Sequence, residues 1–465
     1  MVFSSLTFLF AYLPAVLAVY YLVPLNWRNP VLLIVSLFFY GWGEPVYVFI
    51  MIFSIVMNWV LGKMVARYRI SDREKSKRFL ILCMVLNLLL LGFFKYWDFF
   101  AENMRALGLV FFRPLKLGLP IGISFYTFQA MSYPIDLYRG ETDPQKSLVS
   151  FGAYVTMFPQ LIAGPIVRYT DIARQLNQRD HTMEGFYQGI KRFTVGLCKK
   201  VLLANSAGQV FEAVSALAPA QQSVLTAWIG IIMYTFQIYF DFSGYSDMAI
   251  GLGKMLGFDF LENFNYPYIS ASVTEFWRRW HMSLSFWFRD YVYIPLGGNR
   301  HGLARQIINI MIVWLLTGFW HGASWNFVLW GVFYGIVLIA EKLFLLKHLK
   351  NMPSWLAHVY TMFVVIIAWV LFAFTDFSKV LAYLGFMFGS TGRLADGLTV
   401  YYLHDNILLI LVCIIACTPV AKTRLNILRT RKGRALVPVL TLLALFVCTA
   451  FIVDASYNPF LYFRF

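Results

Sequence analysis

Long uninterrupted apolar segments recur along the whole chain and restrict its fold more than any other feature. A hydrocarbon core about 30 Å thick takes roughly 20 apolar residues per helix. Such stretches fall at 6–24, 31–66 (broken at Gly41-Trp-Gly-Glu-Pro45), 79–97, 118–138, 188–211, 224–252, 306–346 (broken near His321), 356–374, 403–421 and 436–453. Hydropathy thus predicts roughly ten to twelve spans. The runs are continuous and do not alternate, so the spanning form is the helix and not the barrel strand. The expected fold is all-α, a polytopic membrane protein with interfacial or re-entrant helices where the runs break. No soluble domain, Gly/Ser/Pro-rich linker or internal repeat is visible. That gives one membrane domain over 1–453 and a short aromatic tail at 454–465.

The formal net charge is +16. In a soluble chain that excess would point to nucleic acid. Here the positive-inside rule accounts for it, and no nucleic-acid partner is expected. Basic residues gather at Arg67 to Arg78, Arg168 to Arg192, Arg278 to Arg305, Lys342 to Lys350 and Lys422 to Arg434, and all are assigned to the cytoplasm. The topology then closes. The first helix enters toward Arg28, 403–421 runs inward and 436–453 runs outward, leaving the tail extracytoplasmic. The N-terminal apolar run has no basic leader, so it is expected to be a helix and not a cleavable signal. Five cysteines do not form a framework. Cys413 and Cys417, one turn apart, are read as a packed apolar face, and no metal-ligand cluster accompanies them.

Polar chemistry concentrates in 234–300. Gln237, Tyr239, Asp241, Ser243, Tyr245 and Asp247 lie inside an apolar helix. Buried carboxylates are costly unless paired. Two readings stand: a network clamping helices together, or the lining of a substrate cavity. Asn263-Phe-Asn-Tyr-Pro-Tyr268 then breaks the helix. Ser272-Val-Thr-Glu275 signals a helix N-terminus for 273–288. At helical spacing Trp277, Trp280 and His281 share one face of that helix. Arg278 and Arg279 would point elsewhere, toward lipid phosphate or an anionic donor. The segment is aromatic and basic, which favours the membrane interface.

His321 sits in Leu316-Thr-Gly-Phe-Trp-His-Gly-Ala-Ser-Trp325, where two apolar runs meet. Gly318 and Gly322 allow close approach of backbone or ligand. Breaks in membrane helices are tolerated where they line a cavity, and imidazole suits proton transfer near neutral pH. His321 is therefore the candidate general base. His281 is the second candidate, with a structural interfacial histidine as its alternative. Histidines 181, 301, 348, 358 and 404 sit in loops or at helix ends and are expected to be solvated. There is no Gly-x-Ser-x-Gly elbow and no phosphate-binding loop. Such an inventory fits a histidine base acting on a bound hydroxyl, with no bound cofactor.

At these residues the chain resembles the membrane-bound O-acyltransferase family, whose mark is a histidine in a helical tunnel with a second His or Asn upstream. Trp320-His321-Gly322 matches the first and Trp280-His281 the second. The bacterial polysaccharide O-acetylation branch has stretches similar to Pro120 to Gln129, Phe158 to Arg168, Phe240 to Asp247, Arg289 to Gly298 and Trp320 to Asn326. The resemblance implies helices around a central tunnel, lined here by Trp277, Trp280, Trp320, Arg278, Arg279, Asn326, Asp241 and Gln237. It also implies a relay at a bacterial cytoplasmic membrane. A thioester donor such as acetyl-CoA would be used on the cytoplasmic side. A secreted or membrane-anchored acyltransferase of the SGNH type would place the acyl group on polymer hydroxyls outside. The chain ends Asn458-Pro-Phe-Leu-Tyr462-Phe-Arg-Phe465, similar to a C-terminal Phe-x-Tyr-x-x-Phe motif of some envelope acylation systems. Tyr462 is thus a candidate acyl carrier, with an interfacial aromatic anchor as the alternative. Two competing functions remain open: a flippase using the polar helix as a path, and a scaffold for an external acyltransferase.

The topology is testable by thiol labelling in intact cells. Single cysteines introduced within 423–434 should be shielded from an impermeant reagent, and ones near Ser456 should react. The reverse pattern would overturn the orientation.

Overall fold

The computed structural model describes residues 1–420, 423 and 431–454, the side chains of 431–435 excepted. Tyr462 and most of the last basic loop lie outside the described residues. Among the described residues every regular element is helical, and eight helices are long and apolar enough to cross a membrane. They are α1 (Val48–Tyr68), α2 (Arg73–Ala106), α3 (Val224–Met255), α4 (Gly302–His321), α5 (Trp325–Asn351), α6 (Ser354–Ala373), α7 (Gly397–Ala416) and α8 (Leu436–Asp454). The protein is a multi-pass membrane protein of all-α class.

The expected spans 6–24, 118–138 and 188–211 fall on helices outside these eight. Phe8–Leu22 is apolar but short. Ile123–Arg139 has 17 residues and is buried over most of its length, polar side chains included. It is an internal helix, held in place when Gln129 Nε2 donates to the Tyr154 carbonyl at 2.8 Å and Tyr154 Oη donates to the Gln129 carbonyl at 3.0 Å. Its run of apolar and aromatic residues suggests a span, but Ser124, Thr127, Gln129, Ser132 and Asp136 are buried within it. The break expected at 41–45 is present, between Arg28–Gly43 and α1.

The chain packs as two compact units. One comprises Met1–Phe193 and Tyr245–Leu261, the other Thr194–Gly244 and Glu262–Phe465. In the first, α1 and α2 are joined by reciprocal amides. Asn58 Nδ2 donates to Asn87 Oδ1 at 3.1 Å, and Asn87 Nδ2 donates to Asn58 Oδ1 at 2.9 Å. With no water in hydrocarbon, each amide answers the other, a contact typically worth about 0.6–2 kcal/mol. In the second unit the Lys200 ammonium meets Asp241 at 2.7 Å, both side chains buried. Asp247, in the first, is held by Arg192 at 2.8 Å. These pairings favour the clamp over the cavity lining for both aspartates.

α4 and α5 form an antiparallel hairpin, each long enough to cross alone, where a single broken span was expected. Glycines set its closeness. A Cβ on Gly318 would collide with the Phe327 carbonyl oxygen and lie 3.3 Å from the Cα of Gly331, whose own Cβ would collide with the Trp314 carbonyl. Gly331→Val should force the helices apart, at a cost of about 1–3 kcal/mol. Thermal unfolding of the purified protein should show a lowered midpoint. Gly92→Val, which meets open space on α2, should not. Equal midpoints would show that the hairpin tolerates separation.

Candidate active site

The segment carrying His281 departs from the single helix that its spacing predicts. Ser272 does cap a helix, its hydroxyl accepting from the Glu275 N–H at 3.0 Å, but that helix ends at Arg279. Trp280 is extended, His281 adopts φ 46° and ψ 54°, and a second helix runs Met282–Phe288. A left-handed non-glycine residue is uncommon and persists only where its surroundings over-determine it. Asn263 supplies that constraint. Its backbone carbonyl accepts from the Met282 N–H at 2.9 Å, and its side-chain Oδ1 accepts from the Ser283 N–H at 3.2 Å and the Ser283 hydroxyl at 2.9 Å. The same Oδ1 lies 3.1 Å from His281 Nδ1. Because a backbone N–H can only donate, that atom is an acceptor. His281 Nδ1 must therefore carry the proton, leaving Nε2 as the ring's acceptor. His281 lies outside the eight spans, and burial pushes its imidazole pKa down to about 3. It is a neutral imidazole that donates from Nδ1, offers Nε2 as an acceptor and does not take up a second proton near neutral pH.

The helix before it is anchored from α5. Glu341, fully buried, accepts from the Val273 and Thr274 N–H groups at 2.7 and 2.8 Å and from the Thr274 hydroxyl at 2.6 Å. A carboxylate on exposed N–H groups at a helix N-terminus is a favourable pairing of charge and dipole.

His321 is the last residue of α4, and Gly322 leaves the helix with extended backbone. Its ring meets Trp330 of α5 and Phe372 of α6 edge to face, at centroid distances of 5.0 and 5.2 Å. Trp320 lies 5.7 Å from His281 and 5.1 Å from His321. The two histidines, distant in sequence, thus flank one indole, and both are buried. Behind Trp330, Trp277 packs against Trp314, Trp330 and Tyr334 at 4.7, 5.5 and 4.9 Å. Trp277 Nε1, Trp330 Nε1 and Tyr334 Oη are buried donors with no acceptor among the described residues. Buried polar groups are normally bonded, so a cluster of three such donors beside an imidazole is a place for an acceptor-bearing ligand. Asn326 is buried and ties α5 to α6 by donating to the Leu371 carbonyl at 3.2 Å.

Residues 142–386 match the profile of MBOAT, the membrane-bound O-acyltransferase family, and include both histidines. The chain belongs to the membrane-bound O-acyltransferase family. It is 44% identical over 376 residues to the probable alginate O-acetylase AlgI of Azotobacter vinelandii, covering 80% of this chain and 75% of that one. It is 34% identical over 434 residues to the peptidoglycan O-acetyltransferase of Helicobacter pylori, covering 84% and 80%. Similarity extends to the teichoic acid D-alanyltransferase of Streptococcus thermophilus, at 32% over 244 residues, or 49% of this chain and 58% of that one.

Within this family member the expected site residues separate. Trp277, Trp320 and His321 gather with Trp330 and Tyr334. Trp280 turns to a second aromatic group, 5.0 Å from Trp369 and 5.1 Å from Phe264. The shared face of Trp277, Trp280 and His281 does not exist, because the helix stops at Arg279, before Trp280. Arg279 pairs with Glu275 at 2.9 Å instead of reaching outward, while Arg278 is exposed. Gln237 is buried within α3. Three of the histidines expected to be solvated have partners: His358 Nδ1 lies 3.2 Å from the Ser270 carbonyl, His181 Nε2 lies 2.8 Å from Tyr20 Oη, and the exposed His348 Nδ1 lies 3.0 Å from the Phe344 carbonyl. Sequence reasoning passed over Asn263 and Glu341 as site residues. For Glu341 a signal existed, a carboxylate inside an apolar span. For Asn263 there was only a helix-breaking asparagine.

Asn263→Ala removes the acceptor shared by His281 and Ser283. Displacing a site group by about an ångström can cost about 10²-fold, so acyl transfer by this variant should fall to that extent at normal protein level. Asn263→Asp, which keeps an acceptor there, should retain more. Full activity in the alanine variant would show that the joint does not need this contact.

Proposed function

We propose that the chain is the membrane O-acetyltransferase of a system that acetylates a cell-envelope polysaccharide or exopolysaccharide. The observation that carries this reading is the pair of buried imidazoles on either side of Trp320, one at a helix end and one at a constrained helix joint. The relatives named for alginate and peptidoglycan O-acetylation support it. In this reading the chain sits in a bacterial cytoplasmic membrane and takes its acetyl group from a cytoplasmic thioester, acetyl-CoA being the simplest. A partner acyltransferase of the SGNH type completes the transfer outside.

His321 is the general base. As the acceptor hydroxyl oxygen attacks the thioester carbonyl carbon, His321 takes the hydroxyl proton. The new C–O bond forms, the C–S bond breaks, and the departing thiolate recovers the proton from His321. Donors among Trp277, Trp330 and Tyr334 stabilise the charge that develops on the carbonyl oxygen. His281, neutral and presenting Nε2 as an acceptor, positions a hydroxyl or an amide of the donor without competing for the proton.

Tyr462 is the proposed acyl carrier on the extracytoplasmic tail. An ordinary phenol has a pKa near 10, so phenolate leaves more readily than a sugar alkoxide. An acetyl-tyrosine ester then lies between thioester and sugar ester, and each transfer runs downhill.

General-base catalysis typically contributes about 10²–10⁴-fold. His321→Ala should therefore abolish detectable polymer acetylation with expression near normal, and His281→Ala should be damaging but less complete. Tyr462→Phe should abolish polymer acetylation without affecting membrane insertion. Retained activity in His321→Ala would remove the base assignment. Retained acetylation in Tyr462→Phe would leave the tail as an anchor.

A further inference from the structure

A second cluster of charge lies in the first compact unit, on residues that the proposed transfer does not use. Arg28, at the start of helix Arg28–Gly43, is about nine-tenths buried. Its guanidinium carbon sits 5.1 Å from the Tyr20 ring centre and 5.3 Å from that of Tyr21. Its Nε and Nη1 have no hydrogen-bond acceptor among the described residues. Arg179 approaches the same tyrosine. Its Nε donates to Tyr20 Oη at 2.9 Å, its Nη1 donates to Asn29 Oδ1 at 2.8 Å and to the Gln175 carbonyl at 3.2 Å, and its guanidinium carbon lies 4.5 Å from the Phe258 ring centre.

Tyr20 Oη donates onward to the Leu256 carbonyl at 2.8 Å, so it accepts from Arg179 and from His181 Nε2. Two guanidinium groups and an imidazole thus converge on one phenol, with no carboxylate in ion-pair range of either arginine among the described residues. Asp180, beside them in the loop, is exposed. Burial first, and then the charges of Arg28 and Arg179, push the His181 pKa down to about 4. The imidazole is therefore neutral and adds no third charge.

A buried guanidinium with open donors is expensive, and two like charges on one ring add repulsion. A tetrahedral oxyanion answers both, since its oxygens match the arginine fork. Leu22, Leu25 and Trp27, which lie between Tyr21 and Arg28 in the chain, are exposed, apolar and aromatic residues of the kind that sit at headgroup depth.

We propose that Arg28 and Arg179, braced by Tyr20 and His181, form a binding site for a phosphate group, carried either by an anionic lipid or by a soluble phosphorylated ligand. The site is independent of the histidine chemistry, so its failure would leave that reading intact.

The test uses the full-length purified protein in detergent, with binding of phosphatidylglycerol and of coenzyme A measured separately by native mass spectrometry. The wild type should bind one of the two, and that one identifies the source. Arg28→Gln/Arg179→Gln should bind it about tenfold or more weakly, the scale of a lost charge-assisted hydrogen bond. Lys379→Gln, an exposed change elsewhere, should bind as wild type. If the double variant does not fold, Arg179→Gln alone is read, because that side chain is only partly buried. Binding of neither ligand, or equal binding by wild type and variant, would overturn the proposal.

Discussion

Hydrocarbon offers no hydrogen bonds, so a polar group inside this protein must be answered by another part of the chain or by a ligand. Asn58 and Asn87 answer each other across α1 and α2. Lys200 answers Asp241. Glu341 answers the open N–H groups of the helix before His281. Each pairing joins segments far apart in sequence, and each is hard to break singly because the remaining partner would be stranded in an apolar medium. The helices are assembled by packing, but their relative register is set by these few polar contacts.

The Glu341 contact matters most for the candidate site. It fixes helix Val273–Arg279 to α5, and that in turn fixes Trp277 against Trp330 and Tyr334. From there the short helix can deliver His281 only by leaving the helical path, and the left-handed backbone at His281 is held by Asn263 from outside the helix. The result is an imidazole whose tautomer and orientation are set before any ligand arrives. Preorganisation of this kind lowers the reorganisation that a reaction would otherwise require.

The two histidines are consequently unlike. His281 is pinned at one nitrogen and too weak a base to take up a second proton. His321 sits at a helix end among aromatic rings beside three buried donors. Relatives of the chain are named for different polymers, namely alginate, peptidoglycan and teichoic acid.

Much of this was legible in the sequence. Apolar run length gave the all-helical membrane class, because lipid demands it of any such run. The Ser272–Glu275 signature marked a helix start, because capping is a local interaction. The Trp320-His321-Gly322 break was visible because Gly322 follows the last helical residue. Other features could not be read from one dimension. Ile123–Arg139 resembles a span in composition and is an interior helix. Periodicity carried one helix through Trp280 and His281, and only the distant Asn263 side chain, placed by tertiary packing, made the alternative backbone worth its strain. The paired helices α4 and α5 were likewise decided by glycine-to-carbonyl contacts across the hairpin. The sequence determined which segments are helical and which residues could do chemistry, since those depend on neighbours along the chain. The tertiary structure decided which of those residues meet, since hydrogen bonds in an apolar medium are satisfied by whatever the packing brings within reach.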